Sequence, residues 1–117
     1  MLKKLKKIYS PNFDLPKRRS GSIKYLILHY TGMKNEKKAL NRLTNPLHKV
    51  SCHYLIKRNG QIILIVPELY EAWHAGKSNW KNLRSLNRYS IGIEIQNSGH
   101  DNKYENFSQT RRNQGIR

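Results

Sequence analysis

The 117-residue sequence is short of cysteine, of acidic side chains and of long apolar runs. Its one cysteine, Cys52, excludes an internal disulfide, and no CxxC or Cys/His cluster has the spacing of a structural zinc site. No stretch stays apolar for long enough to span a membrane. The start, Met1-Leu2-Lys3-Lys4-Leu5-Lys6-Lys7-Ile8, has the charge of a signal peptide's opening region, but only Tyr9-Ser10-Pro11-Asn12 follows, with no apolar region. That argues against a cleaved signal and favours the cytoplasm over the periplasm. Leu2, Leu5 and Ile8 stand three apart between lysines, which fits a weak amphipathic surface helix or, more simply, a solvated basic tail.

Acid is also scarce: Asp and Glu number 7 against 23 Lys and Arg, a formal charge of +16. Such a charge predicts attraction to polyanions, whether nucleic acid, anionic lipid or acidic cell-wall polymer. It is spread through the chain, with most of it in residues 1–49, and reads as a statement about solubility and non-specific binding. Basic clusters interleaved with tyrosine would suit single-stranded nucleic acid, yet no recognised motif or compact basic helix accompanies them, and no specific nucleic-acid partner is expected. The length allows one domain with a modest core, and an apolar fraction of 37% argues against wholesale disorder.

What is present is organised around Ser90-Ile91-Gly92-Ile93-Glu94-Ile95-Gln96-Asn97. With period two, Ile91, Ile93 and Ile95 make the buried face of a strand, and Gly92, Glu94 and Gln96 lie on the other. A carboxylate inside such a strand costs free energy unless it is hydrogen-bonded, paired or near a cation. Glu94 is thus either a side chain on the wet face of a half-exposed sheet or a working acid. A second strand, Lys24-Tyr25-Leu26-Ile27-Leu28-His29-Tyr30, ends its apolar run on a histidine, and the unbroken run predicts burial on both faces. An acid on one strand and an imidazole ending another can together activate water. His29 is the best metal candidate, against the plainer reading of a hydrogen-bonded strand-end histidine.

The remaining segments are read in order. Residues 1–22 look like a basic extension with Pro11 and Pro16, ending in the loop Lys17-Arg18-Arg19-Ser20-Gly21-Ser22. A helix is predicted over Lys34 to Leu43, with Ala39, Leu40 and Leu43 as its apolar stripe and Pro46 barring its continuation. Apolar runs at 52–56 and 61–66 flank Lys57-Arg58-Asn59-Gly60, a hairpin signal, and a turn or short helix follows at 68–72. Trp73-His74-Ala75-Gly76 suits stacking on a sugar or peptide, or else plugs the core. Residues 77–89 read as surface loop, and 103–117 carry no sustained apolar period. His53 reads as structural or cleft-facing, His48 and His100 as surface, and Cys52 as a buried filler.

Taken in order, these segments resemble the zinc-dependent N-acetylmuramoyl-L-alanine amidases of the type 2 family, relatives of the peptidoglycan recognition proteins. The matching residues run from Asn12-Phe13-Asp14 through Leu26-Ile27-Leu28-His29-Tyr30-Thr31 and Val50-Ser51-Cys52-His53-Tyr54-Leu55-Ile56. They continue through Val66-Pro67-Glu68, Ala72-Trp73-His74-Ala75-Gly76, Leu86-Asn87 and Ser90 to Gly99. The resemblance implies an α/β fold, a central mixed β-sheet flanked by helices, with an amidase-like domain at 23–100 between the extension at 1–22 and an irregular tail at 101–117. It implies Zn2+ as cofactor, with His29 as first zinc ligand, Glu94 as the catalytic acid, Trp73 lining the substrate cleft and His74 at its rim. The bond cut would join N-acetylmuramic acid to the L-alanine of peptidoglycan or a muropeptide, and no obligate protein partner is implied.

The family draws two further zinc ligands, a histidine and an acid or cysteine, from a segment beyond the Glu94 strand. Nothing in 101–117 matches that segment, and His100 is misplaced to substitute. The expectation is therefore a truncated or split amidase domain with an incomplete zinc site and doubtful activity, its sheet left with exposed apolar surface. The alternatives are a non-catalytic muropeptide-binding module, an inactive fragment of a split gene, and a basic nucleic-acid binder.

Overall fold

A continuous apolar run at 25–30 and isoleucines at every second position in 90–95 make strands of the two runs that flank the candidate site. In the computed structural model, which describes residues 5–75 and 86–98, the chain runs β1 (Lys6–Lys7), β2 (Phe13–Asp14), β3 (Tyr25–Tyr30) and α1 (Glu36–Thr44). It continues through β4 (Tyr54–Ile56), β5 (Ile62–Leu64), β6 (Glu71–Ala72), α2 (Leu86–Tyr89) and β7 (Ser90–Ile95). A five-stranded sheet has the order β1-β5-β4-β7-β3, and β2 and β6 form a separate two-stranded ribbon. β7 is parallel to both its neighbours, β3 and β4, whereas β4 and β5 are antiparallel. This is the mixed central sheet expected.

Local chemistry accounts for the boundaries. The β4–β5 hairpin closes where Gly60, at φ 85°, donates its N–H to the Lys57 carbonyl at 2.9 Å. Glycine takes that left-handed conformation without a Cβ penalty. Helix α1 starts where the Asn35 side chain accepts from the Lys38 N–H at 3.0 Å, and it ends short of Pro46. Ala39 and Leu43 are buried, and Leu40 packs beside Leu43 against a core of Cys52, Leu55, Ile63, Ile65, Val66 and Ala72.

Three expectations need correcting. Residues 5–22 are not a loose extension. β1 lies parallel to β5, Ser10 donates to the Ile65 carbonyl at 2.9 Å, and buried Asn12 donates to the Asn45 and Val50 carbonyls at 3.0 and 2.8 Å. Arg18 then ties the segment down, donating to the carbonyls of Glu68 (3.0 and 2.8 Å), Asn87 (2.8 Å) and Arg88 (3.1 Å).

Second, β3 is not buried on both faces. It is the edge strand of the described sheet, and Leu26, Leu28 and Tyr30 on its outer face are 61%, 45% and 41% exposed. On the matching face of β7, Ile91 and Ile93 are half-buried and only Ile95 is fully buried. Third, residues 71–72 form strand β6 and 86–89 the short helix α2, where a turn and a loop were expected. The expectations for residues 1–4, for 76–85, and for His100 and the 101–117 tail lie outside the described residues. No helix among the described residues is long and apolar enough to cross a membrane.

Candidate functional site

The parallel register of β3 and β7 sets Tyr25 opposite Ser90, Ile27 opposite Gly92 and His29 opposite Glu94. Cross-strand partners share a face, so the histidine and the acid stand side by side. On the other side of β7, Leu55 of β4 is in register with Glu94. The inward face of β7 therefore presents Ser90, Gly92 and Glu94 in succession, between an imidazole and an aliphatic wall.

His74, from the loop after β6, lies across this face. Its ring occupies the space a side chain at position 92 would fill: a Cβ built on Gly92 falls 2.3 Å from His74 Cγ. Its backbone is held by Asn87, whose Oδ1 accepts from the N–H groups of His74 at 3.1 Å and Ala75 at 2.8 Å. The ring meets Ser90 Oγ at 3.0 Å through Nε2 and His29 Nε2 at 3.0 Å through Nδ1. Burial pushes the His74 pKa down to about 3, helped by the nearby His29, His53 and Arg18. Burial also lowers that of His29.

Glu94 shows the opposite shift. Burial raises its pKa to about 7, against a smaller lowering by the Arg42 charge. Its Oε2 is buried and has no hydrogen-bond partner among the described residues. The acid faces a cleft of about 220 Å³ that is also lined by Arg42 from α1 and by Ser51, Trp73 and His74. Ser51 accepts from the Trp73 N–H at 2.9 Å and donates to the Asn12 carbonyl at 2.5 Å, fixing the backbone that carries the indole. His29 is not part of the cleft lining and meets the cleft through His74.

The structure thus brings together Glu94, His74 and Trp73 in one cleft, with His29 immediately behind. His53 is set apart as a structural group. Its Nδ1 accepts from the Gly92 N–H at 3.0 Å, so its Nε2–H is the donor to the Tyr70 carbonyl at 2.8 Å. Burial is the main cause of a pKa near 4, which keeps it neutral. Cys52 is fully buried, with a thiol pushed well up by burial and by the Glu94 charge, and acts as a filler. His48 is exposed. Sequence reasoning missed Ser51, Arg42, Asn87 and Ser90. Ser51, Asn87 and Ser90 lie in the segments that carry the family resemblance, and period two also aligns Ser90 with Gly92 and Glu94.

Among the described residues, no group of three His, Cys, Asp or Glu side chains could hold a metal ion.

Comparison with known proteins supplies the context of this geometry. Residues 19–114 match the family model described as N-acetylmuramoyl-L-alanine amidase. The N-acetylmuramoyl-L-alanine amidase AmiD of Escherichia coli K12 is 43% identical over 84 residues, which cover 66% of this chain and 29% of AmiD. The 1,6-anhydro-N-acetylmuramyl-L-alanine amidase AmpD of Haemophilus influenzae is 31% identical over 115 residues, covering 84% of this chain and 62% of AmpD. The solved complex of E. coli AmiD with the substrate anhydro-N-acetylmuramic acid-L-Ala-D-gamma-Glu-L-Lys aligns with a TM-score of 0.66 at 36% identity, over 79% of this chain and 39% of that one. The chain spans less than two thirds of the length of each of these relatives.

Proposed function

The chain belongs to the N-acetylmuramoyl-L-alanine amidase family, and from that premise we propose that its cleft binds a muropeptide and hydrolyses the amide between N-acetylmuramic acid and L-alanine. The observation that carries this reading is the His29–Glu94 register pair, set beside a cleft that His74 and Trp73 help to line. The ligand class follows from AmiD, whose solved complex holds an anhydro-muramyl tripeptide.

Glu94 supplies the proton chemistry. With its pKa near 7 it divides between both forms at neutrality, so it can take a proton from the attacking water and return it to the departing amine of L-alanine. Trp73 offers an aromatic face to sugar or peptide, and Arg42 the positive charge that draws an anionic fragment into the cleft.

The family resemblance also implies zinc. A catalytic zinc is ordinarily held by three protein ligands, and His29 is the one imidazole here that the resemblance assigns to it. The described residues do not make a three-ligand group and so do not fit a catalytic zinc. That same observation favours a second reading, a muropeptide-binding module without catalysis.

The experiment is incubation of the chain with the anhydro-muramyl tripeptide, with and without added zinc, monitored by mass spectrometry for free tripeptide and by calorimetry for binding. The amidase reading expects binding together with peptide release that Glu94→Gln abolishes. Binding that survives EDTA without release under any condition replaces it with the binding module. Neither binding nor release overturns both.

A further inference from the structure

Where α2 meets β7, a chain of hydrogen bonds begins that ends at His29. The Leu86 carbonyl lies 2.5 Å from Ser90 Oγ, Ser90 Oγ lies 3.0 Å from His74 Nε2, and His74 Nδ1 lies 3.0 Å from His29 Nε2. Each contact needs one hydrogen between its atoms, and with both rings neutral the inventory of donors allows one arrangement. A carbonyl only accepts, so the single hydrogen of the Ser90 hydroxyl points at Leu86. Ser90 Oγ is then an acceptor towards His74, which must carry its hydrogen on Nε2. A neutral imidazole holds one such hydrogen, so His74 Nδ1 is a lone pair, and the hydrogen between the two rings belongs to His29 Nε2. The one lone pair left on His29 is at Nδ1.

We propose that Ser90 is a positioning residue of this site: its hydroxyl, committed to the Leu86 carbonyl, sets the tautomer of His74 and, through it, that of His29. The role attached to those rings rests on the amidase reading, whereas the tautomers do not. Two further contacts keep the ring from escaping by a flip. Asn87 Oδ1 holds the His74 and Ala75 N–H groups, and the ring sits against Gly92, where a Cβ would stand 2.3 to 2.6 Å from its Cγ, Cδ2 and Nδ1. His53 provides an internal control. Its Nδ1 accepts from Gly92 and its Nε2 faces the Tyr70 carbonyl, an Nε2–H tautomer set without Ser90.

The test is ring-nitrogen NMR on the ¹⁵N-labelled, metal-stripped full chain near neutral pH, where protonated and unprotonated ring nitrogens resonate far apart. The expected result is Nε2–H for His29, His53 and His74. Ser90→Ala shifts the His74 and His29 nitrogens towards averaged values and leaves His53 unmoved, and Ser90→Thr, which restores a hydroxyl, restores the pattern. A wild-type spectrum with Nδ1–H on either His74 or His29 overturns the proposal, whether or not Ser90→Ala folds. So does a Ser90→Ala spectrum with both rings unchanged. In tripeptide turnover, Ser90→Ala lowers kcat by about tenfold or more at unchanged KM, the scale seen when a histidine loses its orienting partner. Absence of turnover in the wild type strikes the amidase reading and leaves the NMR result standing.

Discussion

Gly92→Ala adds a single methyl group where the strand of the proposed acid meets the imidazole above it. The backbone itself does not demand glycine, since Gly92 lies within β7 and is not among the glycines of positive φ. The objection is steric. The new Cβ would stand 2.3 Å from His74 Cγ, 2.5 Å from Cδ2 and 2.6 Å from Nδ1. Carbon atoms rest about 3.5–4.0 Å apart, so the ring must retreat by more than about 1 Å. Retreat breaks the 3.0 Å contacts to Ser90 and His29 and disturbs the Asn87 bonds to the same loop. Overpacking of this kind costs about 1–3 kcal/mol and each lost hydrogen bond about 0.5–1.5 kcal/mol, so the expected penalty is about 2–5 kcal/mol. The Tm should fall by about 10 °C or more, measured by circular dichroism. A double-mutant cycle isolates the cause. In a His74→Ala background the space is vacant, so Gly92→Ala should cost less than about 1 kcal/mol there, a coupling on the order of 2 kcal/mol. An unchanged Tm, or an equal cost in both backgrounds, refutes the steric argument.

Glu94→Gln tests the raised acid. A carboxyl whose pKa rises from 4.5 to about 7 on folding favours the protonated native state, so its stabilising contribution is full in acid and is lost as pH rises from 4.5 through 7. The stability difference between Glu94→Gln and wild type should therefore grow in favour of the glutamine on the order of 3 kcal/mol across that window, and a difference independent of pH contradicts it. Arg42→Gln removes the one charge among the described residues that opposes burial, so the Glu94 pKa should move further up in carboxyl ¹³C titration, and a fall counts against the assignment. Arg18→Lys cannot reach the Glu68, Asn87 and Arg88 carbonyls together. It should cost about 2–4 kcal/mol in urea unfolding, and a loss below about 0.5 kcal/mol would show that the clamp is dispensable.

Much of the fold was legible because its signals are local. Alternation in 90–95, the apolar run at 25–30, the Asn59-Gly60 turn and the stop at Pro46 each act within a few residues. The N-terminal segment was illegible for the opposite reason. Two lysines carry little strand propensity, and what holds the segment is β1 pairing with β5 and polar reach from Asn12 and Arg18 to carbonyls 33 to 70 residues away. The apolar run of β3 records which side chains tolerate burial, not what covers them, hence the overestimate at Leu26 and Leu28. At the site, strand periodicity set Glu94 on the face opposite Ile91, Ile93 and Ile95. Its adjacency to His29 depended on sheet order, which no local pattern encodes. A glycine inside a strand does mark close approach of another group, and at position 92 that group is His74.

The inward face of β7 is a poor way to build a stable sheet. Glycine in a strand costs about 0.5–1 kcal/mol, and a buried carboxyl oxygen without a partner about 1–3 kcal/mol. Two neutral histidines with pKa values near 4 and 3 oppose folding further in acid. None of these groups belongs to the apolar core, which closes around Leu43, Leu55, Ile63, Ile65 and Val66. Yet that core is what gives the polar face its properties. Leu55 stands in register beside Glu94, and low-dielectric packing of this kind holds the acid near pKa 7, where a solvated glutamate would be fully ionised at neutrality. An aliphatic residue at position 94 would pack as well and spare the penalty. Under the proposed amidase reading, proton exchange in the cleft is what that lost stability supports.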